Sequence, residues 1–417
     1  MVGGVEERVL RDHQPGETPR VDFGLTPGQQ EFLSFVREAA ATLEDVLPVH
    51  GGVNRPLIKR MGEQKLLRKL YGGNDDALRD GSSLASSGTA PRDAAAMQLC
   101  LLREMLATVN TEAETALALQ GLGSYPILQS GNDVTRDRWI PGVASGDVVP
   151  AFALSEPDAG SDAGALTLEA RPAGDGWTLH GTKTWISNAP DADVYTVFAR
   201  TTPGARARGV TAFAIAGDAP GLTGERLDMV APHALGTLHF DGVQVSRDDL
   251  LGEVDQGFAV AMRTLDLFRP SVGAFAVGMG QAALDASLAW ACERELFGGR
   301  LIDQQATQHT LAEMATRIEA SRLLVRRAAA AYDAWSRHAR PSGSTEVTTS
   351  AAQAKLFATE SAQWVVDQAV QLHGARGLQK GHLLERLYRE VRAPRIYEGA
   401  SEVQRTIIAR GLIKGME

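Results

Sequence analysis

Two long apolar stripes near the carboxy terminus constrain the fold of this chain most. Leu311, Met314, Ile318, Ser321, Val325, Ala328, Tyr332 and Trp335 recur at steps of three and four residues. Ala351, Ala354, Ala358, Ala362, Val365, Ala369 and Leu372 repeat the pattern before Gly374. A 3.6-residue period places each set on one face of a long helix, and such faces bury one another by packing as antiparallel helices in a bundle.

The rest of the chain divides around that bundle. Residues 26–149 read as helical: Thr26-Pro27-Gly28-Gln29 supplies a cap and a first-turn proline, and patterning returns at 94–129 after a Gly-, Ser- and Asp-rich stretch, 72–92, that reads as a loop. Residues 177–187, 194–201, 210–216 and 238–245 are short β-branched and aromatic runs. Asp175-Gly176 opens the first with a hairpin-type turn, and no helical period separates the runs, so an antiparallel β domain is expected rather than βαβ units. The expected organisation is therefore α+β: a flexible tail at 1–25, a helical domain at 26–149, a β domain at 150–255 and a four-helix bundle at 256–417. The most apolar stretch, 271–291, is interrupted by Gln281 and Asp285 and suits a buried helix better than a membrane span.

Composition narrows the function. A net charge of −9 over 417 residues argues against sequence-independent DNA binding. Two cysteines, Cys100 and Cys292, are too few for a disulfide framework and fit a reducing cytosol, and residues 1–20 carry no apolar signal core. No histidine cluster has zinc-ligand spacing.

Several motifs carry candidate chemistry, each with a plain alternative. Ser155 to Gly164 packs glycines, serines and acids into one turn that could cradle a flat polar heterocycle or a phosphate, or form an ordinary Asx-turn loop. Trp185-Ile186-Ser187 sets a large ring beside a hydroxyl at a strand end, where a core tryptophan is the common alternative. Arg294-Glu295-Leu296-Phe297-Gly298 offers a guanidinium for a phosphate or for a surface acid. Gln371-Leu372-His373-Gly374 reads equally as a helix end with a glycine cap and a structural histidine. Arg317, Arg322, Arg326, Arg327, Arg337 and Arg340 flank an apolar stripe as a solvated face would. Gly278-Met279-Gly280 fits a dinucleotide fingerprint only superficially, because no strand precedes it; small-residue helix packing accounts for it better. In Arg395-Ile396-Tyr397-Glu398-Gly399, a glutamate among apolar neighbours is disfavoured as an anion and becomes a usable base near neutral pH.

In this order, these segments resemble the acyl-CoA dehydrogenase family of flavoproteins over about residues 26–413. A-L-S-E-P-D-A-G-S-D-A-G resembles the family's first signature, and Q-L-H-G-A-R-G-L with Glu385-Arg386-Leu387-Tyr388-Arg389-Glu390 its second. The resemblance implies a helical, a β and a four-helix domain, FAD as cofactor and an acyl-CoA thioester as substrate. It also implies an α,β double bond in the product, an electron-transfer flavoprotein as acceptor and a homotetramer. Glu398 matches the family's base, with its backbone N–H as a donor to the thioester oxygen. Other members carry the base earlier, where this chain has Phe268. Phe152, Leu154, Ser155, Trp185 and Ser187 match positions facing the flavin ring. Arg294, Phe297 and Gln305 match the pyrophosphate and adenosine side, reached from a neighbouring subunit, and Gln371 and Gly374 the adenine loop. Arg269, of an Asp-x-x-Arg element, with Tyr397 and Gly399, matches the substrate side.

The chain departs from the family pattern at Ala400, where a hydroxyl residue is common, with Ser401 as a possible replacement. It departs again at Ala375, where a second glycine is common, and at K-L-L-R-K-L-Y-G-G in the first domain. The last of these borders the substrate entrance and motivates a rival substrate, an acyl group tethered to a carrier protein. A direct O₂ oxidase and a family-fold flavoprotein with only a binding role are the further alternatives. Residues 111–121 are expected to line the acyl tail, with small Ala118 and Gly121 leaving a deep or wide pocket.

Overall fold

The computed structural model describes residues 24–43, 46–71, 95–231, 233–336 and 344–415. The loop expected at 72–92, nearly all of the tail expected at 1–25, and Gly72, Gly73, Arg337 and Arg340 lie outside the described residues.

Among the described residues five helices come first: α1 (Pro27–Ala41), α2 (Arg55–Glu63), α3 (Ala96–Val109), α4 (Thr111–Ser130) and α5 (Asp133–Ser145). The start of α1 is the one its sequence announces: Thr26 and Gln29 form a reciprocal capping box, with Pro27 in the first turn. Asn110 both ends α3 and caps α4 by accepting the Ala113 N–H, so these two helices turn sharply against each other.

The β layer follows: β1 (Pro150–Ala153), β2 (Glu169–Ala173), β3 (Gly176–Ser187), β4 (Val194–Arg200), β5 (Val210–Ala216), β6 (Leu222–Arg226) and β7 (Leu235–Val245). The four apolar runs read from sequence are β3, β4, β5 and β7. Pairing is antiparallel along β2–β3–β7–β6 and between β4 and β5, whereas β1 lies parallel to β4. Short β1 was not visible as a strand because only four residues of it pair; its place is set by α4. A Cβ at Gly123 would lie 2.7 Å from the Ala151 nitrogen, so only glycine lets α4 and β1 touch.

The remainder is helical: α6 (Gly257–Glu293), a small hairpin of β8 (Glu295–Leu296) and β9 (Gly299–Arg300), then α7 (Gln305–Ser336), α8 (Thr345–His373), α9 (Leu383–Glu390) and α10 (Ser401–Lys414). The buried residues of α7 include Leu311, Met314, Ile318, Ser321, Val325, Ala328 and Tyr332, and those of α8 include Ala351 to Ala369 of the second stripe. Helix α6 is long and apolar enough to cross a membrane by composition, but about two thirds of its most apolar window is buried against the other helices. The rejected dinucleotide motif sits in this contact: a Cβ at Gly278 would meet Glu104 O at 2.4 Å, across to α3.

Candidate active site around Glu398

Glu398 lies between α9 and α10, on a turn whose backbone L residues seldom adopt: φ is 52° at Glu398 and 93° at Gly399. Such a conformation persists only when the surroundings fix it. Three buried side chains do so. Arg269 on α6 donates Nε to Glu398 O at 3.4 Å, and Gln404 on α10 donates Nε2 to the same oxygen at 3.3 Å and to Gly399 O at 2.8 Å. Lys355 on α8 donates Nζ to Gly399 O at 2.6 Å. Arg269 is itself held by Asp266 at 3.3 Å, and Asp266 accepts from the Thr348 hydroxyl. Thus the Asp-x-x-Arg element grips the Glu398 turn through its backbone.

The carboxylate is set differently from its carbonyl. Glu398 is half-buried, with Oε2 enclosed and, among the described residues, without a hydrogen-bond partner. Burial pushes the carboxyl above its usual range, while the cations Arg103, Lys355 and Arg269 pull it back. Among the described residues no acceptor takes the Glu398 N–H. Arg103 is the least expected member of this group. It lies on α3, only 2% exposed, paired with fully buried Glu114 of α4 and donating Nη1 to Ser271 Oγ of α6 at 2.7 Å. Tyr397 is under the influence of the same charges, Arg103 and Glu114 foremost among them after burial.

The residues matched to the flavin ring come together on the β layer. Phe152 on β1 packs against Phe198 with ring centres 4.9 Å apart, and Leu154 and Ser155 follow it. A bulge in β3 sets Thr184 and Trp185 opposite Thr237 alone, with Trp185 at φ 59°. A bulge of this kind re-aims a side chain; the Trp185 ring stands 55% exposed, so it is not a core tryptophan. Ser187 ends the same strand. Beneath this surface, Lys183 donates Nζ to Leu154 O and to Glu156 Oε1, each at 2.9 Å, and Glu156 also accepts the N–H groups of Thr167 and Leu168. Burial alone would raise the Glu156 carboxyl, but Lys183 and those backbone donors hold it below the usual range. A fully buried ion pair therefore pins the Ser155 turn to β3.

An exposed indole, a half-buried phenyl and a hydroxyl-bearing turn lie on neighbouring segments, with the Thr184 N–H donating to Ser155 O at 3.1 Å, and residues of these types fit a flat, partly apolar ring. Helix α4 runs from β1, which Gly123 touches, to the α6 segment that carries Arg269, where a Cβ at Gly121 would meet the Phe268 ring at 2.9 Å. That contact corrects the deep pocket expected at Gly121: the space is filled by Phe268 and Leu70. Ser401 donates its hydroxyl to Glu360 at 2.6 Å, so it is committed within the subunit.

The second set lies at the far end of α6. Arg294 follows that helix directly, and Phe297-Gly298, both at positive φ, form the tip of the β8–β9 hairpin with Phe297 94% exposed. Gln305 begins α7 and is exposed; Gln371 and Gly374, at the end of α8, are exposed as well. Arg294 and Arg376 lie over the Trp290 ring, which stacks on His373 and donates to Leu372 O. His373 Nδ1 meets Ala369 O at 2.9 Å, the structural role expected of it. From Arg269 to Arg294 the helix spans about 37 Å at a rise of about 1.5 Å per residue.

Sequence reasoning missed Arg103, Glu114, Lys355 and the Lys183–Glu156 pair. The available signal was a charge on an apolar face: Arg103 interrupts Leu99–Leu102 and Leu106, and Lys355 adjoins the Ala351–Ala358 stripe.

Comparison with known proteins decides the family. The acyl-CoA dehydrogenase middle-domain model matches residues 151–243, and the C-terminal-domain model residues 255–413. This chain belongs to the acyl-CoA dehydrogenase family. It is 42% identical to the mitochondrial short-chain specific acyl-CoA dehydrogenase of Bos taurus over 69% of each chain. It is 35% identical to cyclohexane-1-carbonyl-CoA dehydrogenase of Geobacter metallireducens over 76% of this chain and 81% of that one. The structure of butyryl-CoA dehydrogenase from Megasphaera elsdenii superposes with a TM-score of 0.82 at 31% identity, covering 94% of this chain and all of the other. The chain is therefore an acyl-CoA dehydrogenase-family oxidoreductase, and the family implies FAD.

Proposed function

We propose that this protein dehydrogenates a short or compact acyl-CoA between its α and β carbons. Glu398 is the base, an electron-transfer flavoprotein takes the electrons, and the working form is a cytosolic homotetramer. The observation that carries the reading is Glu398 itself. A carboxylate oxygen and a backbone N–H without partners among the described residues, on a turn fixed from three helices, together supply a base and an oxyanion donor from one residue.

The α proton of a thioester is acidic only as negative charge moves to its carbonyl oxygen. The Glu398 N–H is placed to receive that charge while the carboxylate takes the proton. Bound FAD supplies the acceptor for the β hydrogen, which leaves as hydride. Phe152, Leu154, Ser155, Trp185 and Ser187 would hold its ring, and Tyr397, Gly399 and Arg269 border the acyl thioester. Arg294 and Phe297 lie just beyond the far end of α6 from Arg269, and Gln305, Gln371 and Gly374 stand exposed at the ends of α7 and α8. Their exposure supports their serving a neighbour's FAD, hence an oligomer. The named substrates of the relatives, short-chain, butyryl and cyclohexane-carbonyl, together with the Phe268 ring against Gly121, support a short acyl group.

Anaerobic mixing of the FAD-loaded protein with an acyl-CoA panel tests this. Bleaching of the flavin is expected with short acyl groups, and bleaching only by an acyl-carrier conjugate would replace the CoA substrate with a tethered one. Glu398→Gln is expected to retain FAD and lose turnover by roughly two to four powers of ten. Wild-type turnover in that variant would remove Glu398 from the mechanism.

A further inference from the structure

We propose that Lys355 is a positioning residue for the reaction: its buried ammonium, bonded to the Gly399 carbonyl, registers the turn that carries Glu398 to the helical bundle, and the chain keeps it there at a cost in stability. The proposal rests on the reading of Glu398 as the base.

Four hydrogen bonds reach the two carbonyls of this turn, and they differ in what they tie it to. Gln404 supplies two, to Glu398 O at 3.3 Å and to Gly399 O at 2.8 Å. It stands five residues past Gly399, on the helix that the turn leads into, so its amide travels with the turn. Arg269 and Lys355 come from other segments, α6 and α8. Those two helices meet at this level: a Cβ at Gly273, one turn beyond Arg269, would lie 3.3 Å from the carbonyl oxygen of Ala354, the residue before Lys355. Arg269 reaches Glu398 O at 3.4 Å, whereas Lys355 reaches Gly399 O at 2.6 Å, the shortest of the four. A peptide is planar, so fixing its oxygen fixes the orientation of the whole unit. The Lys355 bond therefore sets the Gly399–Ala400 peptide against the bundle, directly behind the base.

Packing does not account for an ammonium at this place. Lys355 is fully buried, and among the described residues it forms no ion pair and has Gly399 O as the acceptor for its side chain. A buried ammonium with one of its three donors in use is costly, and burial accordingly pulls Lys355 down to about 8. The carbonyl does not need it either, since Gln404 already donates to Gly399 O. What Lys355 adds is the tie between the turn and α8.

The test is Lys355→Met in FAD-loaded enzyme, read by anaerobic flavin bleaching over a range of butyryl-CoA concentrations, with bound flavin and melting measured alongside. Methionine fills much of the same space and leaves Gly399 O with its Gln404 donor. The variant is therefore expected to melt at or above the wild-type temperature and to retain FAD. Its limiting bleaching rate is expected to fall about ten- to hundredfold, the effect of displacing a positioned group by up to about an ångström. Half-saturation should stay within about twofold of wild type. A limiting rate that matches wild type overturns the inference. So does a lowered melting temperature, which would mark Lys355 as structural support, or a rise in half-saturation as large as the fall in rate, which would mark it as a binding group. Glu398→Gln separates the two levels. If that variant is inactive while Lys355→Met bleaches normally, only the role of Lys355 fails; if Glu398→Gln bleaches as wild type does, the assignment of the base fails and takes this inference with it.

Discussion

Gly399→Ala probes how the turn holds its base. Gly399 has φ 93°, and a Cβ there would lie 2.5 Å from Gln404 Nε2. That nitrogen is the donor to both Glu398 O and Gly399 O, and Gln404 is fully buried, so the amide has no solvent to move into. The variant therefore meets a left-handed penalty of roughly 1–2 kcal/mol. It also loses two hydrogen bonds worth about 1 kcal/mol each, with buried polar atoms left behind. The cheaper response is for the turn to shift by about an ångström, which typically lowers the rate of a positioned reaction about 100-fold. Because the residues proposed to face the flavin lie on the β layer, FAD should stay bound. The expected result is a kcat near one hundredth of wild type, measured under electron-acceptor saturation, with an unchanged flavin spectrum. A kcat within twofold of wild type would refute the idea that this backbone conformation positions the base.

Two further outcomes follow from the β layer. Trp185→Ala removes a ring that is mostly in solvent, so melting should change by under about 0.5 kcal/mol, while FAD retention after dilution should fall roughly two- to tenfold, the worth of an aromatic contact. Loss of stability with retained FAD would contradict a cofactor-facing ring. Lys183→Met strands Glu156 and should destabilise by about 3–5 kcal/mol in urea unfolding at neutral pH. Since the folded Glu156 carboxyl lies below its ordinary value near 4.5, the stability it lends is complete above that pH and is lost as pH falls through the lower folded value. The gap between wild type and Lys183→Met should accordingly narrow in acid; a gap constant through that range would show that the pair is not what is titrating.

The sequence by itself determined the two long helical stripes, four of the strands and the candidate chemistry they bear. The stripes of α7 and α8 were legible because a 3.6-residue period has one meaning over seven or eight repeats. The cap and first-turn proline at Thr26-Pro27 and the runs that became β3, β4, β5 and β7 were legible for the same reason, being local patterns. The segment around Glu398 announced a candidate base through its neighbours alone. Tertiary structure decided what those patterns could not encode. That β1 runs parallel to β4 depends on Gly123 admitting its backbone to α4. That Trp185 faces outward depends on a bulge whose register is set by β7, not by β3. The space at Gly121 is closed by a ring 147 residues later in the chain, Phe268. The ions that tune Glu398 come from α3, α6 and α8, and a charge in a sequence carries no mark of the distant group it will face: Coulomb interactions depend on separation in space, which only the packed chain defines.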